Sequence, residues 1–426
     1  AASQQVDREQ WYKAPISSMD DLHGDLRGII EHLDHVQNLG IDVLYMTPIF
    51  QSNSCHKYDT TDYYKIDPSF GTTEDLKELV QKAHERGMKV VLDAVYNHTG
   101  REFFAFADIL ENGEKSKYRD WYFIDGFPLK SEWGEIPNFK CFGYYGGMPK
   151  LNLKNPEVEK YITDVACYWI KECDIDGWRL DVGDEISHFF WKNFRKAVKA
   201  VKKDMLIIGE IWHYAGDFLE GDEWDTVMNY PFYLNLIDLL ADEKITVSQF
   251  VQNLGYLKGR LHKNCYPLMW NLIDSHDTAR FLHLCNDNKK KQHLAAAFQL
   301  LLPGMPMIYY GDEYAMPGAN DPDCRRGMYW DEEYQDKEMY EWYKRLIQVR
   351  KSHACIVEGE LAESVTEDGE GTVVLIRKNG EETIAMIFNC SSSAKKFNEY
   401  TEKYNLLTEN TFDGNVEGFD AAVIVL

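Results

Sequence analysis

From residue 41 to residue 313 the sequence keeps returning to one alternation: a short apolar run, then a stretch whose apolar residues recur at helical spacing. The runs are IDVLYMTPIF (41–50), MKVVLDAVYNH (88–98), DGWRLD (176–181), MLIIGEI (205–211), WDTVMNY (224–230), PLMWNLID (267–274) and MPMIYYGDE (305–313). A weaker run, WYKAPI (11–16), stands in front of them and brings the count to eight. MKVVLDAV is apolar on both faces, as a strand covered on both sides must be. Between the runs lie helical faces. Ile29, Leu33 and Val36 are closed by Gly40. Leu76, Leu79, Val80 and Ala83 follow a Thr72–Asp75 capping box and end at Gly87. Asn155 and Pro156 open a third helix, carried on by Val158, Ile162, Val165, Ala166 and Trp169, and a fourth runs around 188–202. Repeated strand–helix units of this number predict an α/β chain closed into a (β/α)8 TIM barrel. An open doubly wound sheet is the alternative, but no G-x-G-x-x-G follows any of the runs.

Two segments break the alternation. Residues 99–153 are too long for an ordinary strand-to-helix loop and predict a small inserted domain after the third strand. Ten of the 28 residues from Tyr118 to Tyr145 are Phe, Trp or Tyr, which suits packing of a small insert or stacking on a ligand. From about residue 355 the helical pattern stops. GTVVLIRKNGEETIAMIF places two apolar runs about Asn379-Gly380, a strong hairpin signal, and the chain ends in AAVIVL. The expected layout is therefore barrel over 1–98, insert over 99–153, barrel again over 154–354, and an antiparallel β-sandwich over 355–426.

Charge and cysteine usage bound the partners. A net charge of −24 repels nucleic acid and anionic membrane and suits a neutral ligand, or simply keeps the chain soluble. The nine cysteines are odd in number and show no C-x-x-C spacing, so the expectation is reduced thiols and a cytoplasmic setting. No run is long enough to span a membrane. No signal peptide is visible, and since the sequence starts at Ala1 without Met, a removed leader stays open.

In a βα barrel the chemistry gathers at the C-terminal ends of the strands. There the sequence places Asp93, Asn97 and His98, then Arg179 and Asp181, then Glu210 and Trp212, then His276 and Asp277. Arg179 and Asp181, two apart on one strand, share a face. They read either as a buried structural ion pair or as a nucleophilic carboxylate held ionised by an arginine. Paired carboxylates across one bond are what glycoside hydrolysis needs: one attacks, the other protonates the leaving oxygen. A metal site built on the histidines is the rival, and the sequence lacks the H-x-x-x-H spacing it would favour.

The motifs DAVYNH, GWRLDVGDE, GEIW and NLIDSHD, in this order, resemble the α-amylase family of retaining glycosidases, glycoside hydrolase family 13. The resemblance covers nearly the whole chain. It implies a catalytic barrel, an insert after the third strand and a C-terminal β-sandwich. It also implies that Asp181 is the nucleophile, Glu210 the general acid/base and Asp277 the transition-state stabiliser. Arg179 would hold the nucleophile ionised, and His98 and His276 would bind the sugar at the cleavage point. Tyr58, in HKYDTTDYY, would stack under that sugar, although a core tyrosine is the plain alternative. Asp93 would buttress the site, and Asn97 matches a position that binds calcium in some relatives; the chemistry itself implies no cofactor. MPKLNLKNP, GEIWH, VMNYPF and NDPDCRR resemble the neopullulanase, cyclomaltodextrinase and maltogenic amylase group. There Asp321 and Arg325 would bind the next sugar, and Glu185 and Trp212 would border the leaving-group side.

The chain departs from that group at three places. The group usually carries an N-terminal β-domain, whereas here the barrel is expected to begin almost at once, so the expectation is a monomer or weak homo-oligomer. The loop Ser17–Leu22 is short where some relatives bind calcium. Position 184 is Asp where the group more often has Asn. The expected activity is retaining hydrolysis of α-1,4 links in maltooligosaccharides, cyclodextrins, starch or pullulan. The rivals are an α-glucan transglycosidase or isomerase on the same fold, and a catalytically silent sugar-binding protein.

Overall fold

The computed structural model describes residues 1–4, 7–12, 22–130, 134 and 136–426. The chain divides into two compact units. One holds the described residues through 211 other than 8–12, together with 217–227; the other holds 8–12, 212–216 and 228–426.

The first unit is built on strands β1 (Val43–Met46), β2 (Phe50–Ser52), β3 (Thr60–Ile66), β4 (Lys89–Ala94), β5 (Gly177–Leu180), β6 (Leu206–Gly209) and β7 (Thr226–Val227). Five of them form one parallel sheet in the order β1-β4-β5-β6-β7. Sequential parallel strands need crossover helices, and the expected ones are present. Thr73–Glu85 starts in a capping box between Thr72 and Asp75 and buries Leu76, Leu79, Val80 and Ala83. Pro156–Cys173 starts from the Asn155 side chain and buries Val158, Ile162, Val165, Ala166 and Trp169. His188–Val201 starts from Ser187. The helix ending at Gly40 is in fact two, Leu26–Glu31 and Leu33–Leu39, and Gly40 closes the second in the left-handed conformation at φ 95°. Burying each large aliphatic side chain on these faces stabilises by ~1.5–3 kcal/mol.

Residues 99–153 hold the helix Phe104–Asn112 and isolated antiparallel bridges, Tyr122 to Leu151, Ile124 to Phe139 and Cys141 to Pro149. Much of their aromatic content is packing: Phe106 lies 5.0 Å from Tyr122 and 5.1 Å from Phe139, ring centre to ring centre. Tyr144, 92% exposed, is not part of it.

In the second unit β8 (Trp270–Asn271) and β9 (Met305–Pro306) pair in parallel, and Met228 bridges Trp270 in the same sense. The C-terminal strands are β10 (Glu360–Glu367), β11 (Thr372–Asn379), β12 (Glu382–Asn389), β13 (Lys395–Lys396), β14 (Tyr404–Asn405), β15 (Asn410–Thr411), β16 (Asn415–Val416) and β17 (Asp420–Val425). Six of them make an antiparallel sheet, β10-β11-β12-β17-β14-β15, and β13 pairs with β16. The β11–β12 turn is Gly380–Glu381, with Gly380 at φ 60°. Val374, Ala385, Ile387, Phe397, Phe412, Val416, Ala422 and Ile424 fill the core of this part. Phe388 stacks at 4.2 Å on Phe298 of the helix Lys289–Leu301.

The expected first strand needs correction. Trp11 and Tyr12 of WYKAPI close a helix, Arg8–Tyr12, and residues 13–16 lie outside the described residues, as do 17–21 of the loop expected after it. Tertiary packing explains the helix: the Tyr12 ring lies 4.9 Å from Tyr329 and 4.6 Å from Tyr334, and its hydroxyl donates to Asp331 at 3.1 Å. Among the described residues no helix is long and apolar enough to cross a membrane.

Candidate active site

The first unit gathers its ionisable groups around one arginine. Arg179, on the buried strand β5, is itself fully buried. Parallel register sets Asp93 of β4 directly across from it, and Asp93 accepts from Nη1 at 3.0 and 3.2 Å. The same Nη1 reaches Asp181 Oδ1 at 3.0 Å, while Nη2 reaches Glu210 Oε2 at 2.8 Å. Asp181 and Glu210 are 6% and 7% exposed. Period-two geometry puts Asp181 on the face Arg179 uses; Glu210 follows the end of the neighbouring strand β6. One guanidinium thus lies within ion-pair distance of three carboxylates, Asp93 and Asp181 at Nη1 and Glu210 at Nη2.

Three carboxylates around one cation leave surplus negative charge in a dry site. Burial raises the Asp93 carboxyl to about 6, with Arg179 and Tyr45 pulling the other way. Burial also works against the Arg179 charge, yet Asp93 and Glu210 beside it push its pKa well above the ordinary value. The Tyr45 and Tyr58 hydroxyls donate to Asp93 Oδ2 at 2.7 and 3.2 Å, and burial drives both phenols up.

The backbone just past the nucleophile candidate is strained. Val182 sits at φ 46°, a left-handed conformation that a β-branched residue rarely adopts. That turn points the Val182 N–H at Glu210 Oε2, 2.9 Å away. Strain that survives at such a place is held there by its surroundings. Gly209 and Gly183 make room for Trp224: a Cβ on Gly209 would come within 2.2 Å of its ring.

His98 is 1% exposed. Its Nε2 lies 3.0 Å from the Tyr58 carbonyl, which can only accept, so Nε2 carries the hydrogen. Nδ1 then accepts from Asn97 Nδ2 at 3.3 Å. Burial lowers the His98 pKa to about 4, leaving a neutral ring, stacked 5.1 Å from Phe142. Asn97 also donates to Glu185 Oε2 at 3.1 Å, which Lys150 meets at 2.7 Å. Asn97 Oδ1 is buried and has no hydrogen-bond partner among the described residues. That orphan oxygen suits one ligand of a hard cation, but such an ion takes six to eight oxygens. Among the described residues no group of three or more His, Cys, Asp or Glu is arranged to hold a metal.

The second unit carries the remaining candidates. His276 Nε2 lies 3.1 Å from Asp277 Oδ2, and Arg325 reaches Asp277 Oδ1 at 3.4 Å and Asp321 at 2.5 Å. Trp212, 42% exposed, rests one ring face on Tyr230 at 4.0 Å and 12°. The sequence candidates thus form two groups: Tyr58, His98, Arg179, Asp181, Glu185 and Glu210 in one unit, and Trp212, His276, Asp277, Asp321 and Arg325 in the other. Sequence reasoning missed Tyr45, Lys150 and Phe142. Only Tyr45 left a trace, a polar-tipped residue in an otherwise apolar strand.

Comparison with known proteins adds to this geometry. The family model described as "Alpha amylase, catalytic domain" matches residues 7–359. The chain is 48% identical over 371 residues to a cyclomaltodextrinase of Geobacillus thermopakistaniensis, covering 87% of this chain and 63% of that one. It is 43% identical over 383 residues to neopullulanase 2 of Thermoactinomyces vulgaris, covering 89% and 65%. Among solved structures it is similar to the ligand-free cyclic alpha-maltosyl-(1→6)-maltose hydrolase of Arthrobacter globiformis. That match has 34% identity and a TM-score of 0.89, and it covers 98% of this chain and 92% of that one. The chain spans somewhat less than two thirds of the length of these two curated relatives.

Proposed function

This chain belongs to the α-amylase family, and from that premise we propose that it is a retaining glycoside hydrolase cleaving α-1,4-glucosidic bonds. The substrates are maltooligosaccharides, cyclodextrins, starch or pullulan. The observation that carries the reading is the Arg179 fork, which holds Asp181 at 3.0 Å and Glu210 at 2.8 Å on the two nitrogens of one side chain. Retaining enzymes hold the nucleophile and the acid about 5–5.5 Å apart, within what two oxygens on one guanidinium can span.

In this mechanism Asp181 attacks the anomeric carbon while Glu210 protonates the departing glycosidic oxygen. A glycosyl ester on Asp181 results. Glu210, now a carboxylate, takes a proton from water as that water attacks the same carbon and frees Asp181. Arg179 keeps Asp181 ionised for the attack. Asp277 is the third carboxylate, assigned from its motif, with His276, His98 and Tyr58 binding the reacting sugar. Asp321 and Arg325 serve the next sugar. Glu185 and the half-exposed ring of Trp212 serve the leaving-group side, where an aromatic ring suits the apolar face of a sugar.

The layout that goes with this reading is a barrel over 1–98 and 154–354, an inserted domain over 99–153 and a β-sandwich over 355–426. The chemistry draws on no cofactor. The protein is a cytoplasmic monomer or weak homo-oligomer whose partners are α-glucans, and its charge of −24 is unsuited to nucleic acid or an anionic membrane. Initial rates on maltotriose, β-cyclodextrin, pullulan and starch, with and without a chelator, test the reading. Hydrolysis of at least one, unaffected by chelation, is expected. Exclusive formation of longer or isomerised products from maltotriose would assign a transferase or isomerase instead, and no turnover of any would leave a silent binder.

A further inference from the structure

Away from Arg179, the second unit buries another acidic pair. Asp274 and Asp312 are 0% and 1% exposed, and their carboxyl groups are in hydrogen-bonding contact with each other. Asp274 Oδ2 accepts from the Phe281 N–H at 2.7 Å, and Asp312 Oδ1 accepts from Arg280 Nη1 at 3.1 Å. The other two oxygens, Asp274 Oδ1 and Asp312 Oδ2, meet no N–H or O–H donor among the described residues. Carboxylate oxygens only accept, so two of them in contact need a hydrogen between them. Without it, two like charges would face each other out of water with Arg280 as the one adjoining cation among the described residues. With it, one guanidinium, one carboxylate and one carboxylic acid sum to zero.

We propose that Asp274 and Asp312 share a single proton, and that this pair, with Arg280, positions the turn carrying His276 and Asp277. Asp274 and Arg280 begin and end that turn. Inside it the Ser275 N–H donates to Thr278 Oγ1 at 2.9 Å and the Asp277 N–H to Ser275 Oγ at 3.2 Å. Arg280 Nε donates to the Cys324 carbonyl at 3.0 Å, and the Cys324 thiol donates back to the His276 carbonyl at 3.4 Å. Arg325, the next residue, reaches Asp277. Arg280 therefore braces both the turn and the segment that holds Asp277, and Asp312 helps to place it, together with the Tyr310 carbonyl at 2.6 Å and the Tyr309 ring at 3.9 Å. Asp312 is a positioning residue.

The other ionisable groups facing the pair are Glu313, Tyr233, Tyr309, Tyr310 and Tyr343, besides the Cys324 thiol. Among the described residues the cation facing the pair is Arg280, so a deprotonated pair has no second countercharge among them. Burial raises both carboxyls above the usual aspartate range, and at Asp312 the Asp274 charge adds to it. A carboxyl whose folded pKa is raised gives stability that is complete below the unfolded value and lost as pH rises through the folded one.

The role of Asp277 in turnover rests on the function proposed above; the shared proton does not. The test compares Asp312→Asn, whose amide carries a hydrogen where the proton stands, with Asp312→Ala, which carries none; Asp274→Asn is the second arm. Melting temperature and kcat/KM on maltotriose are each read against pH. Either asparagine variant is expected to melt with a flatter alkaline decline than wild type. Its kcat/KM is expected to exceed that of Asp312→Ala by about tenfold, the scale of one buried hydrogen bond regained, with the alkaline limb moved upward. Asparagine variants as impaired as the alanine at every pH would overturn the shared proton. So would a wild-type melting temperature that depends on sodium or potassium at constant ionic strength, which would put a metal cation between the oxygens. If no glucan is hydrolysed, the melting curves still decide.

Discussion

Arg179 and Asp93 stand directly opposite each other on neighbouring parallel strands and meet at 3.0 Å with neither side chain exposed. Asp93 thereby anchors the guanidinium through the same Nη1 that reaches Asp181. The Arg179 side chain meets Asp181 at 3.0 Å and Glu210 at 2.8 Å from that position.

Truncating Asp93 tests that anchor. Asp93→Ala strips Arg179 Nη1 and the Tyr45 hydroxyl of an acceptor they share, and breaking such a buried pair costs about 3–5 kcal/mol. Urea unfolding measures it. A loss smaller than about 1 kcal/mol, the ordinary effect of a point change, would contradict the anchoring role.

The same carboxyl makes stability depend on pH. Burial raises Asp93 to about 6 in the folded protein. Its contribution is therefore complete below the unfolded aspartate value of ~3.9 and lost as pH rises through the folded one. Wild type minus Asp93→Asn, by thermal melting, should show a difference that shrinks across that window. A difference that grows with pH would reverse the sign.

His98 should titrate unusually low. Its buried ring stays neutral down to about 4. A depressed value gives stability that is present above the unfolded histidine value of ~6.5 and lost as pH falls through the folded one. Proton NMR of the His98 ring is the measurement, with a midpoint near about 4 expected. A midpoint at the unfolded value would mean that the ring is open to water.

Val182 offers a strain test. A left-handed conformation costs an L-residue roughly 1–2 kcal/mol, and glycine escapes that at an entropic cost of about 0.5–1 kcal/mol. Val182→Gly should therefore unfold at the same or higher denaturant than wild type, unlike a valine-to-glycine change in ordinary backbone. A clear drop in midpoint would show that the φ of 46° is not stored strain.

Trp212→Ala removes the half-exposed ring that rests on Tyr230. Aromatic stacking of this kind is worth ~0.5–1.5 kcal/mol, so kcat/KM on maltotriose should fall about two- to tenfold. An unchanged value would remove Trp212 from the leaving-group side.

Much of the fold was legible because parallel strands covered on both faces leave apolar runs that stand out between helical faces. The capping box at Thr72–Asp75, the Asn155–Pro156 start and the Gly380 turn all declare themselves in a few consecutive residues. Strands without that signature stayed hidden. β10 is exposed along nearly its whole length, so ELAESVTE carries no alternation to read. The β2–β3 hairpin alternates imperfectly because its register slips twice. Around Arg179, the residues that stand in strand-end motifs, Asp181 and Glu210, could be picked out as candidates, whereas Tyr45 and Lys150 meet partners 48 and 35 positions away. Only folding supplies those pairings.

In the proposed reaction Asp181 attacks and Glu210 protonates across one bond. Following maltotriose hydrolysis by proton NMR from the first seconds tests it most directly. Two successive displacements at one carbon release the new reducing end as the α anomer, which only later equilibrates with β; Asp181→Asn should release neither. Initial release of the β anomer, or undiminished release by Asp181→Asn, would contradict the account.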